Sequence, residues 1–344
     1  MVTEPARPPV ENSTCLARPS VGIVGAGVQM RRHLVPALKA FGADVVGVFD
    51  VDAAKSAQLA DELGARPAVS LAELLERPDV DCIVAACPPQ GHESVIAAAL
   101  ARGVPILVEK PPVCDLGSLQ RLSMESARAG VPVCVGMNYR HTPGFDALRQ
   151  SVKAGGGPCH VQVQHLATTG AGPGWGLDRL RTLLLAQAVH ALDMALALIG
   201  ECSAVTTTVL DDGDRTSVFW TLSAERSVCN ITVSNRAPGF RHVVTVLSDD
   251  GSVAELTNLD QIDVFSEAGY RAYQQVQTRR SPFADVLDRM GYASSIESFL
   301  DAHVTMRPGQ ERLAQPVTLQ AMEPTYVLVE QAIGRAAGKG KEPR

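Results

Sequence analysis

The chain has 344 residues, which is long enough for two domains of ordinary size. Its 31 basic and 37 acidic side chains leave a net charge of −6 with histidine neutral, which argues against a nucleic-acid-binding protein. No apolar run reaches the roughly 18 residues that cross a membrane, and the polar, proline-rich residues 1–20 predict a disordered tail rather than a signal peptide. Eight scattered cysteines without ligand-like spacing predict reduced thiols, a cytoplasmic location and no metal site.

The first half of the chain alternates short apolar runs with helical patterns. The apolar runs predict strands buried on both faces at Val21–Val24, Val45–Phe49, Cys82–Ala86, Pro105–Val108 and Val131–Val135. The segments between them have helical periodicity and predict helices at Arg31–Phe41, Ala53–Leu63, Leu71–Glu76, Glu93–Arg102 and Leu116–Ala129. Repeated β-α-β units of this length predict a parallel, doubly wound Rossmann-type sheet over residues 21–150.

The second half of the chain has a different hydrophobic pattern. His160–His165 alternates polar and apolar side chains and predicts a half-exposed strand, and Leu180–Ile199 predicts a long helix. An antiparallel sheet is predicted from the period-2 segments Ala204–Leu210, Ser217–Ser223, Ser227–Ser234 and His242–Leu247. Phe283–His303 and Leu319–Ala337 predict closing helices, the second lying back on the first domain. The fold class is therefore α/β, with a second domain over 151–337 that carries an open, mainly antiparallel sheet.

A glycine-rich loop stands where the first strand meets the first helix, the context of a dinucleotide-binding fingerprint. Five residues of this loop are predicted to contact a cofactor: Gly25, Ala26, Gly27, Val28 and Gln29. Met30 stands where the fingerprint has its third glycine, and we expect its bulk to push the helix away from the strand. Asp50 ends the second strand, and its carboxylate suits a ribose diol and repels a 2′-phosphate. We therefore expect NAD(H) to be the preferred cofactor, with NADP(H) possible.

Several segments resemble one protein family. Ile106–Pro112 reads ILVEKPP, and the Glu-Lys-Pro within it is similar to the signature of the Gfo/Idh/MocA oxidoreductases, typified by glucose-fructose oxidoreductase and inositol dehydrogenase. Four other segments resemble the family in order: Val24–His33, Val84–Pro111, Val135–Pro143 and His190–Asp193. The resemblance covers residues 20–200. It implies hydride transfer between a nicotinamide cofactor and a sugar, cyclitol or related polyol, and a homodimer or homotetramer built through the sheet of the second domain.

Further cofactor contacts are implied by the same resemblance, from the loop after the fourth strand and from the end of the fifth. These residues are Cys87, Pro88, His92, Glu109 and Lys110. The alternative interpretation of the glycine loop is an ordinary turn that binds no ligand, with Asp50 serving only as a helix cap. Strand, helix and acidic residue in the expected register favour cofactor binding instead.

Three side chains are the candidates for catalysis. Lys110 follows a parallel strand at its carboxyl end, where an ammonium group can stabilise an alkoxide; the alternative is an exposed lysine. His190 lies on an apolar helix, and Asp193 three residues later can orient its ring; the alternative is a core histidine. The resemblance favours an acid–base role for His190. Tyr139, after the last strand of the Rossmann sheet, can donate a proton.

One position departs from the family pattern. Polyol dehydrogenases of the family usually carry an aspartate four residues before the histidine, whereas this chain has Ala186, and Gln187 next to it cannot serve as an acid or base. This departure keeps two alternatives open. One is an imine or ketosugar reductase of a natural-product pathway, and the other is a non-catalytic nucleotide-binding sensor or scaffold.

The remaining substrate contacts are predicted around the crevice between the domains. Arg140 suits a carboxylate or phosphate, although an interdomain salt bridge is an equal interpretation. The glycine-rich stretch GAGPGWG, residues 170–176, predicts a mobile lip over a small-molecule substrate. The full predicted substrate set is Lys110, Tyr139, Arg140, His165, Trp175, Gln187, His190, Asp193 and Arg236.

Overall fold

A computed structural model describes residues 18–168, 174–267, 269–273, 287, 289–304 and 315–339. Within these residues the first sheet has seven strands: β1 (Ser20–Val24), β2 (Asp44–Phe49), β3 (Arg66–Pro67), β4 (Cys82–Ala85), β5 (Ile106–Glu109), β6 (Val133–Gly136) and β15 (Val317–Thr318). They follow the order β15-β6-β5-β4-β1-β2-β3, and every pair is parallel except β15 with β6. This confirms the predicted Rossmann sheet.

Helices connect the strands of the first sheet: α1 (Val35–Phe41), α2 (Ala53–Leu63), α3 (Leu71–Glu76), α4 (Pro89–Arg102) and α5 (Leu116–Ala129). Alternate residues of β4 enter two separate core clusters, with Ile83 and Ala85 in one and Cys82 and Val84 in the other. Both faces of the strand are therefore buried, which is why its sequence is continuously apolar rather than alternating.

The second sheet has eight strands among the described residues: β7 (Pro158–Leu166), β8 (Ala204–Asp211), β9 (Thr216–Ser223), β10 (Val228–Ser234), β11 (Arg241–Ser248), β12 (Val253–Thr257), β13 (Gln261–Ser266) and β14 (Gly269–Tyr273). Their order is β14-β13-β12-β11-β7-β10-β9-β8, and all pairs are antiparallel except β10 with β7. Trp220 of β9 is buried and its neighbour Phe219 is partly exposed, so one face of the sheet is covered and the other open. The prediction of an open, mainly antiparallel sheet is confirmed.

Helices of the second half cover the buried face and return to the first domain. They are α6 (Pro143–Ala154), α7 (Arg179–Leu183), α8 (Val189–Ile199), α9 (Tyr292–His303) and α10 (Leu319–Lys339). The Trp220 indole donates a hydrogen bond to the carbonyl of Leu328 in α10, at 3.3 Å. The Tyr326 hydroxyl of α10 donates to the carbonyl of Val113 after β5, at 2.7 Å. Helix α10 thus contacts the second sheet and the first domain together.

The helix after the glycine loop begins with a wide π-helical turn, Met30–Leu34, which runs directly into α1. Met30 is fully buried in the same cluster as Val21 and Ile23 of β1. A π turn holds one more residue per hydrogen-bonded ring than an α turn. The large side chain is therefore packed between helix and strand as core.

Several boundaries differ from the sequence-based expectation. Helix α6 was not predicted, although Phe145, Leu148 and Val152 mark its buried face at helical spacing. Of the predicted helix Phe283–His303 the structure shows Tyr292–His303, and residues 281–286 and 288 lie outside the described residues. Strand β15 is a short piece that no clear sequence pattern marked.

One helical run among the described residues, Arg179–Ile199, is long and apolar enough to cross a membrane by length and composition. This corrects the expectation that no run would meet that test. Some 61% of its apolar window is buried inside the protein, where it packs under the second sheet. Its apolar character is that of a core helix.

Candidate active site

A cleft of 470 Å³ lies between the carboxyl ends of the first sheet's strands and the second domain. It is lined by Gln29, Ala86, Cys87, Glu109, Lys110, Asn138, Tyr139, Ala167, Thr168, Ala186, Gln187, His190, Phe240, Met290 and Tyr292. Open parallel sheets bind ligands at this edge, because loops leaving the strands diverge there and leave a crevice. The cleft brings the predicted cofactor loop and the predicted catalytic side chains into one space.

The glycine loop has the shape of a dinucleotide cradle. Gly25 has φ +90°, and a Cβ atom there would lie 2.4 Å from the carbonyl oxygen of Ala86, so only glycine fits. Gly27 has no neighbouring atom within 4 Å of a built Cβ, which leaves its backbone open to a phosphate. Val28 is exposed at the surface beside it. These residues fit a bound pyrophosphate at the start of the helix.

Asp50 holds the loop in place. Its Oδ2 accepts a hydrogen bond from the backbone N–H of Ala26 at 2.6 Å, and its Oδ1 accepts from the N–H of Asp52 at 2.8 Å. Each carboxylate oxygen has two lone pairs, so both can still accept from a ribose hydroxyl. Asp50 is therefore placed to orient the glycine loop and to receive a diol.

Gln29 links the glycine loop to the strand end of β5 and to helix α9. Its amide nitrogen donates to Glu109 Oε1 at 3.0 Å and to the Tyr292 hydroxyl at 3.1 Å. The other oxygen of Glu109 accepts from the backbone N–H of Lys110, and burial raises the pKa of the Glu109 carboxyl. Tyr292 also stacks on His33, with ring centroids 4.7 Å apart. Sequence reasoning missed Tyr292, because nothing local marks a residue that arrives from 263 positions away.

His92 joins two loops beneath the cleft and is not among its lining residues. Its Nδ1 donates to the carbonyl of Pro111 at 3.1 Å, and its Nε2 accepts from the backbone N–H of Cys87 at 3.2 Å. This pair of bonds fixes the neutral tautomer, and burial lowers the pKa of His92 to about 4. Pro88, directly after Cys87, is the N-cap residue of helix α4. His92 is thus placed to position the predicted cofactor loop.

Cys87 lines the cleft with a protonated thiol, because burial raises its pKa to about 11. The described cysteines are all free thiols. Among residues 18–168, 174–267 and the other described segments, no group of three or more His, Cys, Asp or Glu side chains is placed to hold a metal ion.

Lys110 extends from the end of β5 toward the helix at the far wall of the cleft. Its Nζ donates a hydrogen bond to the main-chain carbonyl of Ala186 at 2.8 Å, and the Lys110–Pro111 peptide bond is cis. Ala186 lies in a second π-helical turn, Leu184–Ala188, between α7 and α8. Burial lowers the pKa of Lys110, while the nearby Glu109 opposes that shift. Residue 186, which has no acidic side chain, therefore binds the Lys110 amine through its main-chain carbonyl.

Tyr139 and His190 form a stacked pair in the wall of the cleft, with ring centroids 4.0 Å apart and an interplanar angle of 13°. His190 is buried, and its Nδ1 has no hydrogen-bond partner among the described residues. Burial, followed by the charge of Lys110, lowers the pKa of His190 well below its usual range. The ring is therefore neutral at physiological pH. Burial likewise raises the pKa of Tyr139.

Arg140 and Asp193 form an ion pair. Arg140 Nε lies 2.9 Å from Asp193 Oδ2 and the second guanidinium contact, to Oδ1, is 2.5 Å. The Asp193 side chain is almost fully buried, and this bidentate pair joins the segment after β6 to helix α8. The structure thus places Asp193 against Arg140 rather than in a bond that orients His190, and Arg140 in an interdomain salt bridge rather than in the lining of the cleft.

His165 lies behind Gln187, which lines the cleft. Its Nε2 is 2.8 Å from Gln187 Oε1, and its Nδ1 is 3.1 Å from Nδ1 of His242. His242 was not singled out from the sequence. It stands directly opposite His165 in the antiparallel pair of β11 and β7, so knowledge of the strand register is the signal that finds it.

Two predicted substrate residues lie away from the cleft. Arg236 pairs with the Asp212 carboxylate at 2.7 Å and with the carbonyl of Arg215, at an exposed end of the second sheet. Trp175 has φ 53° in the loop before α7, packs against the core, and is not a lining residue. The residues 169–173 of the predicted lip lie outside the described residues.

Comparison with known proteins defines the class first. Residues 20–137 match the profile of an oxidoreductase family with an NAD-binding Rossmann fold. That profile is the one of the Gfo/Idh/MocA oxidoreductases, the family that the sequence resemblance implied, and its match covers the first domain.

Three relatives describe the breadth of the family around this chain. Inositol 2-dehydrogenase 4 of Saccharopolyspora erythraea is 31% identical over 186 residues, 53% of this chain and 54% of that protein. UDP-N-acetylglucosamine 3-dehydrogenase of Acidithiobacillus ferrooxidans is 27% identical over 83% of this chain and 89% of the relative. The crystal structure of a dehydrogenase from Chromobacterium violaceum superposes with a TM-score of 0.85 and 26% identity, covering 94% of this chain and 97% of that one. The match to the inositol dehydrogenase spans only about half of its length.

Proposed function

We propose that this protein is an NAD(H)-dependent oxidoreductase that interconverts a hydroxyl group and a carbonyl group on a sugar, cyclitol or related polyol. One observation carries the proposal: the glycine loop's Gln29, the lysine Lys110 and the stacked Tyr139–His190 pair all line one cleft at the ligand-binding edge of a Rossmann sheet. Relatives named as inositol and UDP-N-acetylglucosamine dehydrogenases support the substrate class.

The cofactor side of the cleft follows from the loop geometry. Gly25 and Gly27 offer backbone to a pyrophosphate, and Asp50 offers acceptors to a ribose diol while its charge repels a 2′-phosphate. NAD(H) is therefore preferred over NADP(H). When bound, the nicotinamide supplies the hydride chemistry, and the protein supplies position and control of the proton.

The substrate side is organised by Lys110 and His190. In the oxidative direction the hydroxyl proton leaves as the carbon–hydrogen bond gives up its hydride, and a neutral amine at Lys110 is placed to accept it. Burial favours the neutral amine by lowering the pKa of Lys110. In the reductive direction the same group, protonated, donates to the developing alkoxide. The neutral ring of His190 lies beside that oxygen as a hydrogen-bonding partner.

A reductase that acts on imines or ketosugars is the second candidate. Ala186 presents only its main-chain carbonyl to Lys110, so the helix supplies no carboxylate at that position to take up a proton from the lysine. A reductive reaction needs a donor at this point rather than a base, and an ammonium group satisfies that need.

The open face of the second sheet supports an oligomer. Phe219 of β9, Val228 of β10 and Leu247 of β11 expose apolar surface on that face. A face of this kind is typical of an interface between subunits, so we propose a homodimer or homotetramer in the cytoplasm. Light scattering on the purified protein measures the assembly, and Phe219→Lys is expected to yield monomers.

The first test is a fluorescence titration with NADH and, separately, NADPH, followed by turnover assays on polyols, ketosugars and imines. Micromolar NADH binding with weaker NADPH binding, together with oxidation of a polyol or reduction of its ketone, is the expected result. Turnover of imines alone would select the second candidate. Tight nucleotide binding without any turnover would leave a sensor or scaffold, and binding of neither nucleotide would overturn the proposal.

A further inference from the structure

One aromatic ring in the wall of the cleft is left half open to solvent. Phe240 lines the cleft and is 49% exposed, whereas His190 in the same cleft is 4% exposed. A single exposed phenylalanine on an open surface needs no explanation, but ligand pockets are lined by apolar and aromatic side chains with a few polar groups that fix orientation. The cleft therefore runs from an apolar, solvent-facing surface at Phe240 to a buried end at His190.

The backbone on both sides of Phe240 is tied to the second sheet. Phe240 is the last residue of the short loop 235–240 and directly precedes strand β11. At the other end of the loop, the backbone N–H of Asn235 donates to the carbonyl of Thr216 at 3.1 Å. The side-chain Oδ1 of Asn235 accepts from the N–H of Thr216 at 2.7 Å. Because both ends of a short loop are fixed, the ring of Phe240 has a defined place in the cleft wall.

A series of ring contacts joins Phe240 to the reacting end of the cleft. The ring centroid of Phe240 lies 5.6 Å from that of His165, at an interplanar angle of 82°. The His165 centroid lies 6.5 Å from that of Tyr139, which stacks on His190 at 4.0 Å. Edge-to-face contact is a favoured arrangement of aromatic pairs, so His165 orients the Phe240 ring. Two rings separate Phe240 from His190, which places Phe240 beside the non-reacting part of a substrate.

We propose that Phe240 is a substrate-binding residue: its uncovered ring stacks on the C–H face of a cyclic substrate, a pyranose sugar or a cyclitol, whose reacting oxygen lies at Lys110. This rests on the proposed function and narrows its substrate class. Where the hydroxyls of such a ring point outward, C–H bonds project from its two faces and make them apolar. Stacking one face on a phenyl ring removes apolar surface of both partners from water. An open-chain polyol has no rigid face of this kind and loses more conformational freedom on binding, so the cleft favours rings.

The test compares a cyclic polyol with an open-chain one in the full-length protein. myo-Inositol and D-glucitol match in their numbers of carbons and hydroxyls, so the ring is the main difference between them. We expect Phe240→Ala to raise KM for myo-inositol about tenfold while kcat changes less than about twofold, because a contact to a non-reacting face binds substrate and transition state alike. The inhibition constant of D-glucitol as a competitor, and Kd for NADH, are expected to change less than about threefold.

Two further variants separate the stacking contact from a general effect of losing a ring. Phe240→Tyr keeps the flat ring and is expected to keep KM for myo-inositol within about threefold of wild type. Phe265→Ala is the matched control, because Phe265 on β13 is 48% exposed and is not a lining residue of the cleft. A wild-type KM for myo-inositol in Phe240→Ala, or an equal weakening of both polyols, would overturn the proposal. A wild-type KM together with a changed oligomeric state in light scattering would assign the exposed ring to a subunit contact instead.

Saturation-transfer NMR detects the contact independently of turnover. The protein is deuterated except at phenylalanine and saturated with NADH, and the probes are myo-inositol and methyl glucopyranoside. Irradiation of the aromatic protons is expected to transfer saturation to the C–H protons of a probe in wild type and in Phe265→Ala, and several-fold less in Phe240→Ala. Equal transfer in the three proteins, or none in any of them with either probe, contradicts the proposal. Transfer in wild type without turnover of any polyol or ketone would instead defeat the proposed function and leave the stacking contact in place.

Discussion

The side-chain nitrogen of Lys110 lies 2.8 Å from the main-chain carbonyl oxygen of Ala186, across the cleft between the two domains. The acceptor belongs to the backbone of a π-helical turn, where the pattern of hydrogen bonds along the helix is locally interrupted. The lysine is therefore positioned without an acidic side chain at residue 186. The same contact ties the end of β5 in the first domain to the helix that carries His190.

Replacement of Lys110 by methionine tests the central role of this residue. Met keeps the length of the aliphatic chain and removes the amine, so we expect kcat to fall roughly 10²–10⁴-fold because proton transfer at the reacting oxygen is lost. Kd for NADH is expected to change less than about threefold, since the glycine loop and Asp50 hold the nucleotide. Steady-state kinetics and a fluorescence titration measure the two quantities.

Lys39→Met is the matched control, because Lys39 is exposed on α1 and away from the cleft. It is expected to leave kcat and Kd unchanged. A Lys110→Met enzyme with wild-type kcat would remove the lysine from the mechanism. Loss of NADH binding in the same variant would show that the lysine acts on the cofactor instead.

The pH dependence of the reaction follows from burial of the same amine. Burial lowers the pKa of Lys110 from its ordinary 10.5, so the neutral base is present at lower pH than for an exposed lysine. In the oxidative direction kcat/KM should therefore rise with pH and level off below 10.5. The reductive direction needs the ammonium and should decline over the same interval. A pH profile in both directions checks this, and in Lys110→Met the rising limb should be absent.

Cofactor preference is expected to depend on Asp50. Asp50→Ala removes the charge that repels a 2′-phosphate and the acceptors for the ribose diol, so the ratio of NADPH to NADH Kd values should fall by about tenfold or more. Asp52→Ala is the control, because the Asp52 carboxylate caps helix α2 through the N–H groups of Ala54 and Lys55, whereas the Asp50 carboxylate binds the glycine loop through the N–H of Ala26. It is expected to lower stability slightly, through loss of the helix cap, and to leave the ratio unchanged. Titrations of both variants decide whether the carboxylate selects the cofactor.

The parts of the site that the sequence predicts are those built from neighbours in the chain. Gly25, Asp50 and Lys110 each stand at the end of an apolar strand, and parallel strands bring their carboxyl ends to one edge. The position of each therefore follows from local pattern and topology. The sequence predicts that Met30 displaces the helix, whereas in the structure Met30 is buried within a π turn. No local sequence pattern marks that π turn.

The parts that the sequence does not predict depend on long-range register. His242 reaches His165 only because β11 pairs with β7 in one particular alignment, and a shift of one residue would turn its ring to the other face. Arg236 lies in the loop between β10 and β11. It was expected in the cleft and pairs with Asp212 instead. Period-2 alternation predicts that a side chain faces inward, but not which inward neighbour it meets.

Acid sensitivity is expected from His92. In the folded protein its pKa is lowered to about 4 by burial, while the unfolded chain has the ordinary value of 6.5. The unfolded state therefore binds a proton that the folded state refuses, so stability decreases as the pH falls from 6.5 toward 4. The contribution of this one residue is about 3 kcal/mol at the acid end. Chemical unfolding curves at several pH values measure it.

His92→Gln is the variant for this test, since a glutamine does not titrate and retains a donor and an acceptor. It is expected to be less stable than wild type at neutral pH and to lose less stability on acidification, so the two curves converge. Curves that remain parallel from neutral to acid pH would assign the acid sensitivity to other buried histidines, such as His141, whose pKa burial also lowers.

The ion pair of Arg140 and Asp193 is expected to support both stability and catalysis. Asp193→Asn leaves a guanidinium facing a neutral amide in a largely buried position, and removing one partner of a buried pair costs about 3 kcal/mol. Arg140 adjoins Tyr139, and Asp193 lies one helical turn after His190, so the stacked rings should also lose their alignment and kcat should fall.

Asp212→Asn breaks the exposed pair with Arg236 and is the control, expected to change neither quantity measurably. If Asp193→Asn unfolds at the wild-type denaturant midpoint, the pair is not a determinant of the interface; if it is destabilised with an unchanged kcat, the rings are aligned by packing alone.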